Sequence, residues 1–472
     1  MFVGREDELS ALEMLYQKTG FQMVVVYGRR RVGKTTLLDE FAGNKHTLYF
    51  TAQEQSALLN LRVFSQTVYR FFGLPAQTGA FDSWSSAFSF IAEKAKTSSQ
   101  RLVLMFDEFP YAAASEPSLP SALQIAIDHE FKGTNLYLVL CGSNEGFMES
   151  DVLGRKSPLY GRRTAQMRVR AFDYLDAARM LPKSTVEDRI KYYATFGGTP
   201  YYLSQIDSDI SYEENVSQLF FNKSGLLYEE PLMLLRQELR EPALYNSVLD
   251  AIGEGATKPK VIAERAGIGQ NSIGKYLKTL ESLGLVLRKT PFGENALRSR
   301  KSIYTLGDPF FSYWYRFVGR NVGAIENGAG EAVARQTAFG DTLSTYIGSQ
   351  FESVCLQWVI RQNRAQKLPF IASAFGNWWG TDPVEHEEVD VDVVAGDKVS
   401  NNILLGECKW RTSFNETEEI GKLKARASLI KGYNNHSYIL FTKNRTSEAT
   451  ARKAASIDEL KIVTAENLFE DQ

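Results

Sequence analysis

The sequence predicts an α/β fold, and two observations support this prediction. Short apolar, β-branched runs recur along residues 1–170, starting with residues 23–26, and helical patterns lie between them. The first run leads through a glycine-rich loop, residues 27–36, into a segment with apolar residues at helical spacing. Strands that alternate with helices in this way are typical of a parallel sheet with helices on its faces.

Length and composition indicate a globular protein of several domains. The 472 residues are enough for about three domains, and 44% of them are apolar and 23% charged. The net charge of -2 gives no general attraction to nucleic acid or membrane, so such binding must come from local patches. Three scattered cysteines, the lack of a long apolar run and an N-terminus unlike a signal peptide predict a cytoplasmic protein without disulfides or membrane contact.

The loop after the first predicted strand fits the pattern G-x-x-x-x-G-K-[ST] and predicts a triphosphate site. Gly28 and Gly33 allow backbone N–H groups to turn inward, and the helix N-terminus adds partial positive charge. Lys34 can reach the β- and γ-phosphates, and the Thr35 hydroxyl can bind Mg²⁺. We therefore expect ATP or ADP with Mg²⁺ as ligands. The predicted nucleotide-binding residues of the loop are Gly28, Arg29, Arg30, Arg31, Val32, Gly33, Lys34, Thr35 and Thr36.

A later predicted strand, within residues 101–110, ends in two acids, Asp107 and Glu108. Downstream of a phosphate loop this is the Walker B pattern, in which Asp107 holds Mg²⁺ through its water shell and Glu108 is the general base toward the attacking water. Farther along, Arg162 and Arg163 could neutralise γ-phosphate charge, within one chain or from a neighbouring subunit of a homo-oligomer. A basic surface turn is the competing interpretation of these two arginines.

Six segments together carry a specific resemblance: Phe-Val-Gly-Arg-Glu near the N-terminus, the phosphate loop, Phe-Asp-Glu-Phe-Pro-Tyr, Gly-Ser-Asn, Tyr-Gly-Arg-Arg-Thr and Gly-Gly-Thr-Pro-Tyr-Tyr-Leu. Over essentially its whole length the chain resembles the prokaryotic and archaeal ATPases described as DEXX-box AAA ATPases, which are related to STAND proteins. The resemblance implies a P-loop AAA+-type sheet with a helical lid, a winged helix-turn-helix and a C-terminal restriction-endonuclease-like α/β domain. It also implies a γ-phosphate sensor at Ser143 or Asn144.

We therefore expect an ATPase core over residues 1–170, a lid over 171–225, a winged helix-turn-helix over 226–306 and a nuclease-like domain over 307–472. Within the third segment, a helix, a glycine turn, a second helix and a strand follow one another. The wing is expected over residues 285–305. The residues expected to face double-stranded DNA are Gln270, Asn271, Ser272, Lys275 and Lys278 on the second helix and Lys289, Arg298, Arg300 and Lys301 on the wing. The alternative is a winged helix that serves only packing or assembly.

In the last segment, an acid, a predicted hairpin and Glu-x-Lys follow one another. Glu407 and Lys409 are two residues apart in a strand, so both side chains lie on the same face. The pattern resembles the PD-(D/E)xK nuclease core. That resemblance implies that Asp392 and Glu407 bind Mg²⁺, that Lys409 is the catalytic cation, and that Glu352, on the preceding helix, is a further acid.

Several alternatives stay open in this segment. Asp390 shares the face of Asp392 and could replace it, and Lys424, on the helix after the motif, is a weaker candidate for the cation. A solvated charged hairpin, or a nuclease fold that does not cleave, would give the same pattern. The aromatic run in residues 308–317 is expected to pack in a core rather than to stack on bases.

Two functions agree with this organisation. In the first, the nucleotide state of residues 1–225 controls a DNA-binding winged helix and a metal-dependent nuclease. In the second, the chain is a STAND-type nucleotide switch whose C-terminal domain binds nucleic acid or a protein partner without cleaving it. The three arginines at residues 29–31 favour slow release of nucleotide, which suits a switch.

Overall fold

The computed structural model describes residues 2–75, 79–455, 457 and 459–470. They form two compact units. The first contains the described residues up to Ala171 together with Thr199–Tyr201, and the second contains Phe172–Gly198 and the described residues from Tyr202 onward. In this part of the chain, no helix has both the length and the apolar character that crossing a membrane requires.

The first unit is built on a parallel sheet. In the described residues its strands are β1 (Gln22–Tyr27), β2 (His46–Thr51), β3 (Leu102–Asp107), β4 (Tyr137–Gly142) and β5 (Ala165–Arg168). They lie in the order β2-β3-β4-β1-β5, with every neighbouring pair parallel. The C-terminal ends of parallel strands meet at one edge of a sheet. This edge therefore carries the phosphate loop after β1, the acid pair after β3 and Ser143 after β4.

Alternate residues of the central strands belong to two hydrophobic cores, one on each face of this sheet. On β1, Met23 and Val25 join one core, and Val24 and Val26 join the other. The strands β1, β3 and β4 are buried along their whole length, as expected for a parallel sheet covered on both faces. The prediction of a parallel α/β sheet is confirmed.

Helices cover the sheet. Helix α1 has three acids in its first turn, where negative charge is favourable. Ser56 caps the N-terminus of helix α3. The described helices of this unit are α1 (Glu6–Tyr16), α2 (Lys34–Ala42), α3 (Ala57–Phe71), α4 (Trp84–Thr97), α5 (Phe109–Ser115), α6 (Leu119–His129) and α7 (Glu145–Phe147).

The second unit begins with short helices. Its described helices up to residue 337, with α10 starting at the end of the first unit, are α8 (Tyr174–Arg179), α9 (Val186–Phe196), α10 (Pro200–Leu203), α11 (Tyr212–Phe220), α12 (Glu230–Glu238), α13 (Pro242–Gly253), α14 (Pro259–Arg265), α15 (Ile273–Ser282), α16 (Pro309–Tyr313), α17 (Val322–Glu326) and α18 (Gly330–Thr337). Residues 226–256 contain two of these helices, because α13 starts anew at Pro242, which cannot continue a helix. The aromatic run around α16 is buried, as expected.

A two-stranded hairpin follows α15. The strands β6 (Val286–Lys289) and β7 (Ile303–Leu306) pair antiparallel, with Lys289 opposite Ile303. Its connecting loop is held in place by Phe292, which is 7% exposed and packs with the hydrophobic core of the C-terminal sheet. The backbone N–H of Phe292 also donates to the carbonyl of Asn377 at 2.8 Å. This part of the expected wing therefore packs on the C-terminal sheet.

A mixed sheet forms the C-terminal part of the second unit. In the described residues its strands are β8 (Ala374–Thr381), β9 (Glu388–Asp397), β10 (Asn402–Lys409), β11 (Asn435–Thr442) and β12 (Leu460–Thr464). They lie in the order β12-β11-β10-β9-β8, antiparallel on the β8 side and parallel from β10 to β12. The helices of this part are α19 (Gly340–Arg364), α20 (Glu416–Ala427) and α21 (Glu448–Ala455).

Candidate functional site

The phosphate loop turns sharply between β1 and α2, and Gly28 makes this turn possible. A Cβ atom at Gly28 would lie 2.2 Å from the carbonyl oxygen of Val169, far closer than real atoms approach. At the other end of the loop, Gly33 caps α2 with a φ of +88°, a left-handed conformation that favours glycine. The two glycines thus hold the backbone curled in front of the helix N-terminus.

Lys34 lies across the inside of this loop. Its ammonium group donates to the carbonyl oxygens of Gly28 at 2.8 Å and Arg29 at 3.0 Å, and the residue is buried. Thr35 and Thr36, in the first turn of α2, are exposed. Val32 is buried, and its carbonyl accepts from Arg5 at 2.9 Å. The positive charge of Lys34 is therefore held at the mouth of the loop.

The three arginines of the loop contact residues outside it. Arg29 donates to the Thr199 hydroxyl at 3.3 Å, and the Arg31 guanidinium lies 4.6 Å from the centre of the Tyr201 ring. Arg30 donates to the hydroxyl of Tyr111. Two of the three arginines thus bind the turn at residues 199–201, which lies within the lid segment predicted from the sequence.

The acid pair at the end of β3 faces the same edge of the sheet. Asp107 is buried and accepts a hydrogen bond from Tyr49 at 2.9 Å, and the Thr35 hydroxyl lies 3.5 Å from the same carboxylate oxygen. Burial and the charge of Asp107 raise the pKa of Tyr49. The sequence analysis missed Tyr49. Its signal was its position near the C-terminal end of β2, which neighbours β3.

Glu108 has a left-handed backbone, with a φ of +49°. Its carboxylate accepts from Ser143 twice, from the hydroxyl at 2.9 Å and from the backbone N–H at 3.3 Å. Asn144, the other sensor candidate, instead caps α7 by accepting from the N–H of Phe147 at 3.0 Å. The structure therefore brings Ser143, and not Asn144, to the predicted general base.

The arginine candidates differ in their contacts. Arg162 donates from Nε to Asp128 at 3.0 Å and from its terminal nitrogens to the carbonyls of Pro158 and Tyr160. Its hydrogen bonds, with those of Lys132, lower the pKa of Asp128 to about 2. The structure thus does not bring Arg162 to the phosphate loop. Arg163 is half-buried and has no ion-pair or hydrogen-bond partner among the described residues.

A second group of charged residues, which we call the C-terminal cluster, lies on β9, β10, α19 and α20. It consists of Glu352, Asp392, Glu407, Lys409, Glu419 and Arg426. Glu407 is buried, and Lys409 reaches it at 2.6 Å, as the spacing of two residues predicts. Asp392, on β9, accepts from the N–H of Cys408 at 2.8 Å, so its carboxylate is held against the neighbouring strand β10. The cluster thus joins residues that are far apart in sequence.

Helix α20 contributes two members that the sequence analysis missed. Lys409 also binds Glu419 at 2.9 Å, and Arg426 binds Glu407 at 3.2 Å. Lys424 lies elsewhere, with its ammonium group 5.5 Å from the centre of the Tyr438 ring. The suggestion of Lys424 is therefore wrong, and Arg426 is the cation that this helix supplies. The helical spacing of residues 419 and 426, two turns apart, could have indicated both.

The carboxylates of the cluster repel one another. Burial and the charges of Asp390 and Glu407 raise the pKa of Glu352 to about 7, against the opposing effect of Lys289 and Lys409. Burial and the neighbouring acids also raise the pKa of Asp392 well above its usual range. The side chain of Asp390 itself is 70% exposed, which makes it the weaker substitute for Asp392.

Metal ligands are not gathered into a complete shell. Among the described residues, no three or more His, Cys, Asp or Glu side chains are arranged to hold a metal ion. Mg²⁺, however, is commonly held by only one or two carboxylates together with waters and substrate phosphates. The oxygen donors of Asp392 and Glu407, and those of Thr35 and Asp107 in the first unit, have the chemistry that such an ion prefers.

The predicted DNA-facing residues of α15 are exposed, with Lys275 bound to Glu241 at 3.4 Å. On the hairpin, Lys301 binds Glu294 at 2.9 Å. Lys289 is half-buried, and its charge acts on Glu352. The basic residues of the hairpin are thus partly compensated by acids, whereas the polar face of α15 is open to solvent.

Two parts of the chain match known family models. Residues 2–206 match the model of an ATPase domain predominantly from Archaea, and residues 314–420 match that of a family of archaeal and bacterial proteins of unknown function. An uncharacterized protein of Methanocaldococcus jannaschii is 29% identical over 411 residues, which are 87% of this chain and 88% of the relative.

Two solved structures are similar at low identity. A Walker-type ATPase of Pyrococcus abyssi is 19% identical, with a TM-score of 0.46, and the match covers 67% of this chain and 96% of the other. The ORC2 protein of Aeropyrum pernix, solved in complexes with ADPNP and ADP, is 14% identical, with a TM-score of 0.42 and coverage of 69% and 94%. Residues 2–206 are thus similar to an ATPase domain found predominantly in Archaea, and residues 314–420 are similar to a family whose function is unknown.

Proposed function

We propose that the first unit binds ATP and hydrolyses it with Glu108 as the general base. The observation that carries the proposal is the convergence of Lys34, Thr35 and Asp107 at one edge of the sheet, with Thr35 and Asp107 3.5 Å apart. Lys34 would exchange the carbonyls of Gly28 and Arg29 for phosphate oxygens. The Thr35 hydroxyl and Asp107 would hold Mg²⁺, which offsets phosphate charge when it is bound.

Release from Ser143 would leave both carboxylate oxygens of Glu108 able to accept a proton from water. In its present position one carboxylate oxygen is held by both the hydroxyl and the backbone N–H of Ser143. Phosphate binding would move β4 or the residues that follow it. This movement would release Glu108 and leave Ser143 free to donate to the γ-phosphate. This step gives Ser143 the sensor role, and Arg163, from the same chain or a neighbouring copy, is the candidate for neutralising charge.

Two variants test the ATPase proposal. Lys34→Ala removes the phosphate-binding ammonium and should abolish ATP binding in calorimetry. Glu108→Gln should bind ATP but hydrolyse it at least about a hundredfold more slowly, since general bases contribute factors of this size. Lys18→Ala, an exposed lysine in the same unit, is the control. Undiminished affinity in Lys34→Ala, or wild-type turnover in Glu108→Gln, would contradict the proposal.

A second proposal concerns the C-terminal cluster, which we infer to be a metal-dependent nuclease site. Three partly or fully buried carboxylates, Glu352, Asp392 and Glu407, repel one another, and Glu352 has a pKa of about 7. A divalent cation would relieve this excess of negative charge. Lys409 would stabilise the charge that develops on phosphate during hydrolysis.

We further propose that double-stranded DNA is the substrate and that nucleotide state controls access to it. The exposed polar and basic face of α15 supports DNA binding, because basic and amide side chains on a helix contact phosphates and base edges. The competing proposal is a STAND-type switch that binds its partner without cleavage. The three loop arginines support it, and two of them, Arg29 and Arg31, contact residues 199–201.

Plasmid cleavage separates these two proposals. The protein is incubated with plasmid DNA and Mg²⁺ or Mn²⁺, with and without ATP. Cleavage that is lost in Lys409→Ala and kept in Lys424→Ala supports the nuclease, because Lys409 belongs to the cluster whereas Lys424, on α20, lies against the Tyr438 ring. Intact ATP binding without cleavage under either metal supports the switch.

A further inference from the structure

The two carboxylate oxygens of Glu407 are held by two different cations. Lys409 Nζ lies 2.6 Å from Oε1, and Arg426 Nη1 lies 3.2 Å from Oε2. The Glu407 side chain is only 6% exposed, so these two cations are its main source of favourable charge. A metal ligand in this position would need one of the same two oxygens.

Helix α20 supplies an opposite charge to each member of the Glu407–Lys409 pair. Glu419 binds Lys409 at 2.9 Å, and Arg426, two turns later on the same face, binds Glu407. Arg426 is also tied to β9, since it donates to the carbonyl oxygen of Asp390 at 2.9 Å. The helix thus presents an acid to the lysine and an arginine to the glutamate.

We propose that Arg426 is the resting counter-charge of Glu407 and competes with a divalent cation for Oε2. This inference rests on the proposed metal-dependent function of the C-terminal cluster. A guanidinium and a metal ion at that oxygen repel each other, so each weakens the binding of the other. Metal binding at Glu407 therefore favours a position of Arg426 farther from Oε2, and Arg426 acts on the metal through Glu407 as a positioning residue.

The Arg426 side chain is suited to such an exchange. It is 18% exposed, so it has a path toward solvent at the edge of the cluster. Once displaced, its fork of N–H donors matches a phosphate group in a bidentate arrangement. The same residue would then hold Glu407 before the metal binds and contact substrate phosphate afterwards. Metal binding and phosphate binding are coupled through this one side chain.

Calorimetric titration of Mn²⁺ into the nucleotide-free full chain tests the proposal. Arg426→Gln removes the competing charge, and we expect Mn²⁺ to bind about tenfold more tightly. The net free energy of a hydrogen bond to a charged group corresponds to about this change in affinity. Arg426→Lys keeps the charge and should restore an affinity near that of the wild type. Arg335→Gln breaks an exposed pair with Glu331 on α18 and is the matched control. Asp392→Asn removes a proposed metal ligand, so the heat that is lost in this variant is the heat of binding at the cluster.

The outcomes are distinct. An Mn²⁺ affinity of Arg426→Gln equal to or weaker than that of the wild type, with Asp392-dependent binding in both, would overturn the role of Arg426 and leave the metal site intact. If neither the wild type nor Arg426→Gln shows Asp392-dependent heat, that result would overturn the metal site itself. Binding in Arg426→Gln but not in the wild type would support the proposal strongly. Melting temperatures identify unfolded variants, and if Arg426→Gln is unfolded, Arg426→Met, which also removes the charge, takes its place with the same expected gain in Mn²⁺ affinity.

Discussion

At the scale of single residues, Gly28 has little freedom to change. Its missing side chain allows the phosphate loop to pass the carbonyl oxygen of Val169, which would lie 2.2 Å from any Cβ. Backbone cannot move aside as a flexible side chain can. The loop geometry, and with it the position of Lys34, therefore depends on glycine here.

We predict that Gly28→Ala destabilises the protein by about 2 kcal/mol or more, as overpacking does, and abolishes ATP binding. Thermal unfolding and nucleotide titration measure the two effects. Gly133→Ala is the control, because no atom lies within 4 Å of a Cβ there. A Gly28→Ala variant with wild-type ATP affinity would show that the loop opens without cost.

Glu352 gives the cluster a pH dependence. Its pKa of about 7 lies above the usual value for a glutamate, because of burial and the charges of Asp390 and Glu407, partly offset by Lys289 and Lys409. Because the pKa is higher in the folded than in the unfolded state, protonated Glu352 contributes stability that is fully present at low pH. That contribution is lost as pH rises from the unfolded-state value through about 7.

The wild type should therefore lose stability between about pH 4.5 and pH 7. Glu352→Gln should remove up to about 3 kcal/mol of this pH-dependent loss of stability. Compared with the wild type, the variant should therefore lose less stability between low pH and about pH 8. Urea unfolding at several pH values measures the slope. Glu331→Gln, on an exposed glutamate of α18, should leave it unchanged, and an unchanged slope in Glu352→Gln would show that the other acids determine it.

At the scale of elements, the β6–β7 hairpin is the clearest case of a segment with an unexpected role. Its sequence predicts a basic wing, and Phe292 anchors the loop in the core of the C-terminal sheet, to which Val391 and Tyr433 also belong. A buried aromatic side chain joins two segments more firmly than exposed charges do. The hairpin is thereby part of the C-terminal structure.

Phe292→Ala should lower the free energy of unfolding by about 3 kcal/mol, as loss of a buried phenylalanine does. Chemical denaturation checks this value. Leu297→Ala, in the same loop but 88% exposed, should be nearly neutral. Equal, small effects of both substitutions would mean that the loop is not docked in solution.

At the scale of the whole molecule, we predict that nucleotide state changes DNA affinity. Coupling between two sites commonly amounts to between about fivefold and a hundredfold in affinity. Fluorescence anisotropy with labelled duplex should therefore differ at least about fivefold between ATP-bound Glu108→Gln and the ADP-bound wild type. Lys34→Ala should show one affinity under all conditions. A single affinity for every nucleotide state of the other two proteins would contradict coupling.

Local chemistry was readable along the chain. Gly28, Lys34 and Thr35 follow a fixed spacing around a strand and a helix, so neighbouring residues alone predict the phosphate loop. The acid pair Asp107 and Glu108 is equally local. Glu407 and Lys409 meet because side chains two apart share a strand face, and this contact too needs no distant information.

What the tertiary structure decided is which distant side chains complete each site. Ser143 rather than Asn144 reaches Glu108, Arg162 turns to Asp128, and Arg426 rather than Lys424 reaches Glu407. Each choice depends on the register of one element against another. That register is set by packing across many residues, to which no single motif refers. The sequence by itself determined the chemistry available to this protein, and only the packing of its sheets and helices determined which charges meet.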